Sequence, residues 1–201
     1  GVNTVLFGVH DLRTAMQHIK WAGYDAAEIS ALAGMADHLP LDTWKAHASD
    51  IRALVEDLEL PLTAMEVGTT AEDRLMLAFE AGATIGIPVV NVGPGGTKTG
   101  DVDDMKRLIE HLNAMAAKAE TFGVTLAIKA HVNTALYSTP STLEVMAGVN
   151  SPAFGIDMDP SHIHRAGEVP KEALAAVVSR IKHVHIRDCV GPGPSPGAPE
   201  L

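Results

Sequence analysis

The chain has a single cysteine, Cys189, so no internal disulfide can form and a reducing compartment is the expected setting. That lone thiol is read as a packing residue. It has no excess of positive charge. Fifteen Lys and Arg stand against 25 Asp and Glu, a net charge of −10. Such a surface repels a polyanionic backbone, so no nucleic-acid partner is expected, although a small anionic substrate needs only a local basic site. No apolar run reaches the roughly 20 residues that cross a bilayer, so no membrane partner is expected. The opening GVNTVLFGVHDLR lacks a basic n-region and a cleavage site. No signal peptide is therefore expected, and the expected location is cytoplasmic. There is no G-x-G-x-x-G and no Walker signature. Gly93-Pro94-Gly95-Gly96 follows a predicted strand without supplying either, so a nucleotide-binding fold lacks its phosphate loop.

What the chain does have is alternation. Hydrophobic residues make up 46%, which fits a globular protein of one domain or a little more. Short apolar or β-branched runs predict strands at Thr4–Val9, Ala26–Ser30, Leu62–Val67, Val89–Val92, Thr125–His131, Ala153–Asp159 and Lys182–Arg187. Longer amphipathic runs predict helices at Asp11–Ala22, Leu41–Leu58, Ala71–Ile85, Asp101–Phe122, Ser141–Val149 and Pro170–Arg180. Asp11 and Ser141 suit N-caps, Pro170 suits a first helical position, and Gly23, Gly86 and Gly123 suit helix ends. Strand and helix in strict alternation imply a parallel sheet covered by helices. It can close as an open doubly wound sheet or as a (β/α)8 TIM barrel. Polar residues at the ends of many strands favour the barrel, with its site on the C-terminal rim. No eighth β/α unit is expected within these 201 residues, so they are either a piece of a longer chain or a barrel that stays open. After the last predicted strand come residues 191–201, GPGPSPGAPEL, expected to be a loop or tail beyond a catalytic domain of residues 1–190.

Residues 153–188 carry the densest chemistry. Two strand-like runs end in ionisable clusters, Asp157, Asp159 and His162, then His183, His185 and Arg187. Side chains alternate along a strand. If Phe154, Ile156 and Met158 face the helices, Asp157 and Asp159 face the interior. The same alternation turns Lys129, His131, His183, His185 and Arg187 inward, and likewise Glu28, Glu66 and Asn91. Burying that many ionisable groups is costly unless they pair with each other, a metal or a ligand. Taken singly, Glu28, Asn91, Asp157 and His183 are equally well explained as structural groups. Asp159, His162 and His185 are expected to converge at one rim. His164 is expected in a solvated loop.

Asp159-Pro160-Ser161-His162 and His183-Val184-His185-Ile186-Arg187-Asp188 resemble motifs of the sugar phosphate isomerase/epimerase family, the xylose-isomerase-like TIM barrels. Gly23-Tyr24-Asp25-Ala26-Ala27-Glu28-Ile29 is similar to an early strand of that family. The resemblance implies a divalent metal (Mn, Mg, Co or Zn) on the C-terminal rim, held by carboxylates and a histidine. It places Asp159 and His185 among the ligands, His162 beside the substrate, and Arg187 on a substrate hydroxyl, carboxylate or phosphate. Two of the family's carboxylates are not matched. Lys129 stands where the fifth strand carries Glu, and the eighth-strand Glu has no counterpart. An ammonium cannot ligate a cation. Three outcomes follow: His131 or another nearby group replaces the Glu as a ligand, Lys129 is itself the acid–base group with its pKa lowered by burial, or the site is metal-free with Lys129 paired to Asp157 or Asp159. The first is the expectation.

The resulting expectation is a metal-dependent carbohydrate isomerase or epimerase that removes a proton next to a carbonyl. Lys129, His162 and Glu66 are the candidate acid–base groups. Arg187, Asn91 and Glu28 are the candidate substrate contacts, and Asp159, His185 and His131 the candidate metal ligands. A lyase that cleaves a 3-oxo-glycoside by β-elimination is the first alternative, because the proton-abstraction step is shared. A non-catalytic barrel serving as a subunit of a larger complex is the second. The barrel's endonuclease relatives need a basic groove, which the charge opposes. The expected partner is a small carbohydrate, and the expected assembly is a homo- or hetero-oligomer.

Overall fold

The structure, a computed structural model, describes residues 1–94 and 102–189, with the backbone alone at 102. The expected tail and the expected helix start at Asp101 lie outside the described residues. In chain order the elements are β1 (Val2–Asn3), α1 (Leu12–Trp21), β2 (Ala27–Leu32), β3 (Ala36–Asp37), α2 (Trp44–Leu58), β4 (Leu62–Val67), α3 (Glu72–Ile85), β5 (Val89–Val92), α4 (Val102–Thr121), β6 (Thr125–Lys129), α5 (Thr139–Gly148), β7 (Phe154–Met158), α6 (Pro160–Arg165), α7 (Pro170–Val177) and β8 (Ile181–Val184). No helix among the described residues is long and apolar enough to cross a membrane.

The chain forms two compact units. The first comprises Gly1–Val92 with Thr121–Val124, and the second Gly93–Glu120 with Thr125–Leu201. In the first, β1, β2, β4 and β5 are neighbours in parallel order, and β3 pairs antiparallel with β2. In the second, β6, β7 and β8 are parallel. Strand alternating with helix and parallel pairing in both units make this an α/β fold. Strands covered on both faces read as continuous apolar runs. β7 is buried on both faces, with Phe154, Ile156 and Met158 on one and Gly155 and Asp157 on the other, and Asp157 is the one break in its apolar run.

The helices start and stop where side chains settle their orphan backbone groups. Asp11 accepts from Thr14 N at 2.7 Å to cap α1. Gly86, at φ 95°, ends α3 in the left-handed region that glycine adopts without strain. The cap of α5 is one turn earlier than Ser141. Ser138 takes the cap position, and Ser141, three residues on, closes a reciprocal capping box with it.

Three other expectations are corrected. Thr4–Val9 is not a strand. The ladder ends at Asn3, whose side chain accepts from Val5 N at 2.8 Å and starts a 3₁₀ turn over Thr4–Phe7. His164 lies in α6 rather than in a loop, because Asp159 caps that helix and Pro160 supplies its preset first turn. The last strand is Ile181–Val184, not Lys182–Arg187, although His185 N still reaches Met158 O at 3.1 Å.

A register shift between Ile156 and Asp157 sets the faces of β8. Ile156 pairs with Ile181, but Asp157 pairs with His183, so Lys182 is the extra residue of a bulge. A slip of one residue exchanges the faces of a strand. The shift brings His183 onto the Asp157 side and leaves Val184 on the exposed one. Gly155 makes the bulge possible. A Cβ there would lie 2.1 Å from Lys182 Cγ and 2.7 Å from Arg180 O.

Candidate active site

In the second unit the strand register carries the chemistry. Lys129 pairs with Asp157, and Asp157 with His183. Lys129 Nζ lies 3.0 Å from His185 Nδ1 and 4.0 Å from Asp157 Oδ2. His185 Nδ1 lies 3.2 Å from the same carboxylate oxygen. These three groups form one network around a carboxylate that is 1% exposed. His183 stands beside it, its ring edge-on to His185 with centroids 4.9 Å apart. Each offers a ligating nitrogen within 4.8 Å of the other's.

A second network surrounds Asp159. Oδ1 accepts from Ser161 N at 2.9 Å and from Ser161 Oγ at 2.6 Å. Oδ2 lies 3.6 Å from His162 Nε2 and 3.9 Å from Arg187 Nε. Arg187 donates through Nε to Ser161 Oγ at 2.8 Å and through Nη2 to His162 Nε2 at 3.2 Å. The ring of His162 lies 4.1 Å from that of His131 between centroids. His131 Nδ1 is 3.0 Å from Val132 O, which fixes a proton on that nitrogen.

Burial pushes the His162 imidazole down to about 3. The Asp159 carboxylate opposes this, while the charges of His131, Arg187 and Lys129 reinforce it. The ring is therefore neutral at neutral pH and accepts from Arg187. Loss of solvation, then the Arg187 charge, lowers Arg165 as well.

In the first unit Asn3 Nδ2 donates to Glu28 Oε2 at 2.9 Å and to Glu66 Oε2 at 2.6 Å. Asn91 Nδ2 reaches Glu28 Oε1 at 3.4 Å. The two expected carboxylates and the expected amide are thus joined, through an asparagine that the sequence reading passed over.

The structure brings His185 together with Asp157 and Lys129, and Asp159 with His162 and Arg187. Asp157 and Ser161 are the residues the sequence reading undervalued. Asp157 carried a signal in its place beside Lys129 on the adjoining strand. Ser161 carried one inside the Asp159-Pro160-Ser161-His162 motif.

The donors present suit a divalent cation in type: imidazoles at His131 and His185, and a carboxylate at Asp159. His131 is oriented through its other nitrogen as ligating histidines are. Against the fit, a cation stands beside two of the three, Lys129 at His185 and Arg187 at Asp159.

Residues 16–197 match the family model described as xylose isomerase-like TIM barrel, and the chain belongs to that family. Its fold is accordingly the α/β TIM-barrel type, and the expected family resemblance holds. An inosose dehydratase of Clostridium perfringens is 30% identical over 86 residues, covering 43% of this chain. The chain spans less than a third of that relative's length, 29%. Among solved structures, the probable 3-DHS dehydratase AsbF from Bacillus anthracis is 16% identical, with a TM-score of 0.74 over 94% of this chain and 72% of that one. The 3-keto-D-glucoside 4-epimerase YcjR from E. coli is 17% identical, with a TM-score of 0.77 over 94% and 78%. A xylose isomerase-like TIM barrel protein from Mycobacterium smegmatis, in complex with magnesium, is 15% identical, with a TM-score of 0.75 over 94% and 74%. These structures share the fold. Isomerase, epimerase and dehydratase names recur among the proteins this chain resembles.

Proposed function

We propose that the protein acts on a polyhydroxylated ketone, a sugar or cyclitol derivative, by removing the proton on the carbon next to the carbonyl. The observation that carries this reading is the network of buried Lys129 and Asp157 with half-buried His185, a cation, a carboxylate and an imidazole within 4.0 Å of one another. Proton abstraction beside a carbonyl builds negative charge on oxygen, and a positioned cation stabilises it. Lys129 supplies that charge in the first network and Arg187 in the second. His162, neutral and buried, holds Arg187 rather than giving up a proton. Glu66 is the proposed carboxylate base, with Glu28 and Asn91 as proposed substrate contacts.

The metal-dependent form of this reaction is part of the proposal. Asp159 and His131 would hold a Mn, Mg, Co or Zn ion, and His185 would join them if Lys129 released its Nδ1. The magnesium complex of the M. smegmatis protein supports that ion for the fold. Bound there, the ion supplies a Lewis acid for the carbonyl oxygen.

Returning the proton gives isomerisation or epimerisation. Expelling a β-oxygen substituent gives a lyase reaction. The dehydratase name of the curated relatives favours the elimination branch, with loss of water in place of cleavage of a glycoside. The proposed partner is the small carbohydrate itself.

The test is proton exchange. The chain is incubated in D₂O with a ketohexose, a 3-oxo-glycoside or an inosose, and the proton beside the carbonyl is followed by NMR. One of the three should lose that signal, with an epimer or an unsaturated product appearing, and Lys129→Met should slow the exchange by about 100-fold or more. Exchange of none of them overturns the reading.

A further inference from the structure

Resting on that reading of the site, we propose that Lys129 is a positioning residue that fixes the ring proton of His185 on Nε2. In doing so it holds down the site's affinity for divalent cations. Nδ1 of His185 faces two groups of opposite demand, Lys129 Nζ at 3.0 Å and Asp157 Oδ2 at 3.2 Å. A ring nitrogen carries either a lone pair or a proton. The lone pair accepts from the ammonium, and a proton would go to the carboxylate, so Nδ1 can satisfy one of them. An ammonium is a donor only, so a charged Lys129 at this distance requires the lone pair. The proton of the neutral ring then sits on Nε2.

A metal takes a lone pair from imidazole nitrogen. With Nδ1 engaged by Lys129 and Nε2 protonated, neither nitrogen is offered. The ammonium also repels a second cation directly. Asp157, buried and 4.0 Å from Nζ, is the counter-charge that keeps the lysine in place. Removing the ammonium reverses the order. Nδ1 then donates to Asp157, and the lone pair returns to Nε2. A carboxylate behind one nitrogen and a lone pair on the other is the arrangement of metal-ligating histidines.

The experiment uses the full chain with ¹⁵N-labelled histidine. Two-bond ¹H–¹⁵N correlation spectra read the His185 tautomer, and titration with Mn²⁺ alone, followed by electron paramagnetic resonance, reads affinity. The parent and Lys129→Arg should show the Nε2–H tautomer and weak binding. Lys129→Met should show Nδ1–H and bind Mn²⁺ at least about tenfold more tightly. Adding His185→Ala to that variant should abolish the gain.

An Nδ1–H tautomer in the parent overturns the proposal, as does unchanged Mn²⁺ affinity in Lys129→Met. Should Lys129→Met fail to fold by circular dichroism, the parent's tautomer decides alone. The proton-exchange assay is independent of both readouts. A parent that exchanges protons but shows Nδ1–H keeps the proposed reaction and loses this inference.

Discussion

His162 shows how burial can govern a single residue. Its ring is 2% exposed, and burial lowers it from an ordinary value of 6.5 to about 3. Above pH 6.5 the ring is neutral in the folded and the unfolded chain, and it gives stability no pH dependence. Between about 6.5 and about 3 the unfolded chain takes up a proton that the folded ring refuses. Stability therefore falls as the pH falls through that window, by up to about 1.4 kcal/mol per pH unit for one group. His162→Gln, which can still accept from Arg187, should flatten this slope. Urea midpoints at pH 7, 5.5 and 4.5 measure it, and parallel slopes for parent and variant would rule the account out.

The bulge in β8 is a device of the element, not of a residue. Gly155 leaves room for Lys182, and the extra residue turns His183 and His185 toward Asp157. Gly155→Ala should cost about 1–3 kcal/mol by urea denaturation, since the backbone of Arg180 must also give way. It should also perturb the His185 imidazole signals. Unaltered signals in a destabilised variant would separate packing from register.

This bulge also explains what could be read from sequence. The strand and helix order was legible because apolar period and capping residues agree along most of the chain. Alternation alone already assigned Lys129, Asp157, His183 and His185 to one face. The pairing within that face was not legible, since nothing local in residues 181–185 says that Lys182 is skipped. Asp157 consequently looked like a lesser group than Asp159. At the other end, Thr4–Val9 has strand composition, and one hydrogen bond from Val5 N to the Asn3 side chain diverts it into a turn.

At the scale of the whole molecule, net charge bears on the choice of partner. The chain belongs to the xylose isomerase-like TIM barrel family and carries −10 net charge. Proteins that it resembles over part of its length include dehydratases by name. An acidic molecule does not gain the counterion-release term that drives binding to duplexes. A duplex with an abasic site should therefore run unshifted and uncut in a gel at low salt with added Mg²⁺ or Zn²⁺. Retardation or cleavage would return the endonuclease relatives to consideration.

Asp159 has a double occupation. It caps α6 through Ser161 and faces Arg187 and His162 in the candidate site. A lineage of this chain without the proposed reaction would still be selected to keep an acidic or amide cap at that position, because the cap serves the helix. Persistence of Asp159 among descendants would thus record folding as much as chemistry. Lys129 and His185 have no such second employment in a helix cap, so drift at those two positions is the more sensitive register of whether the reaction is still under selection.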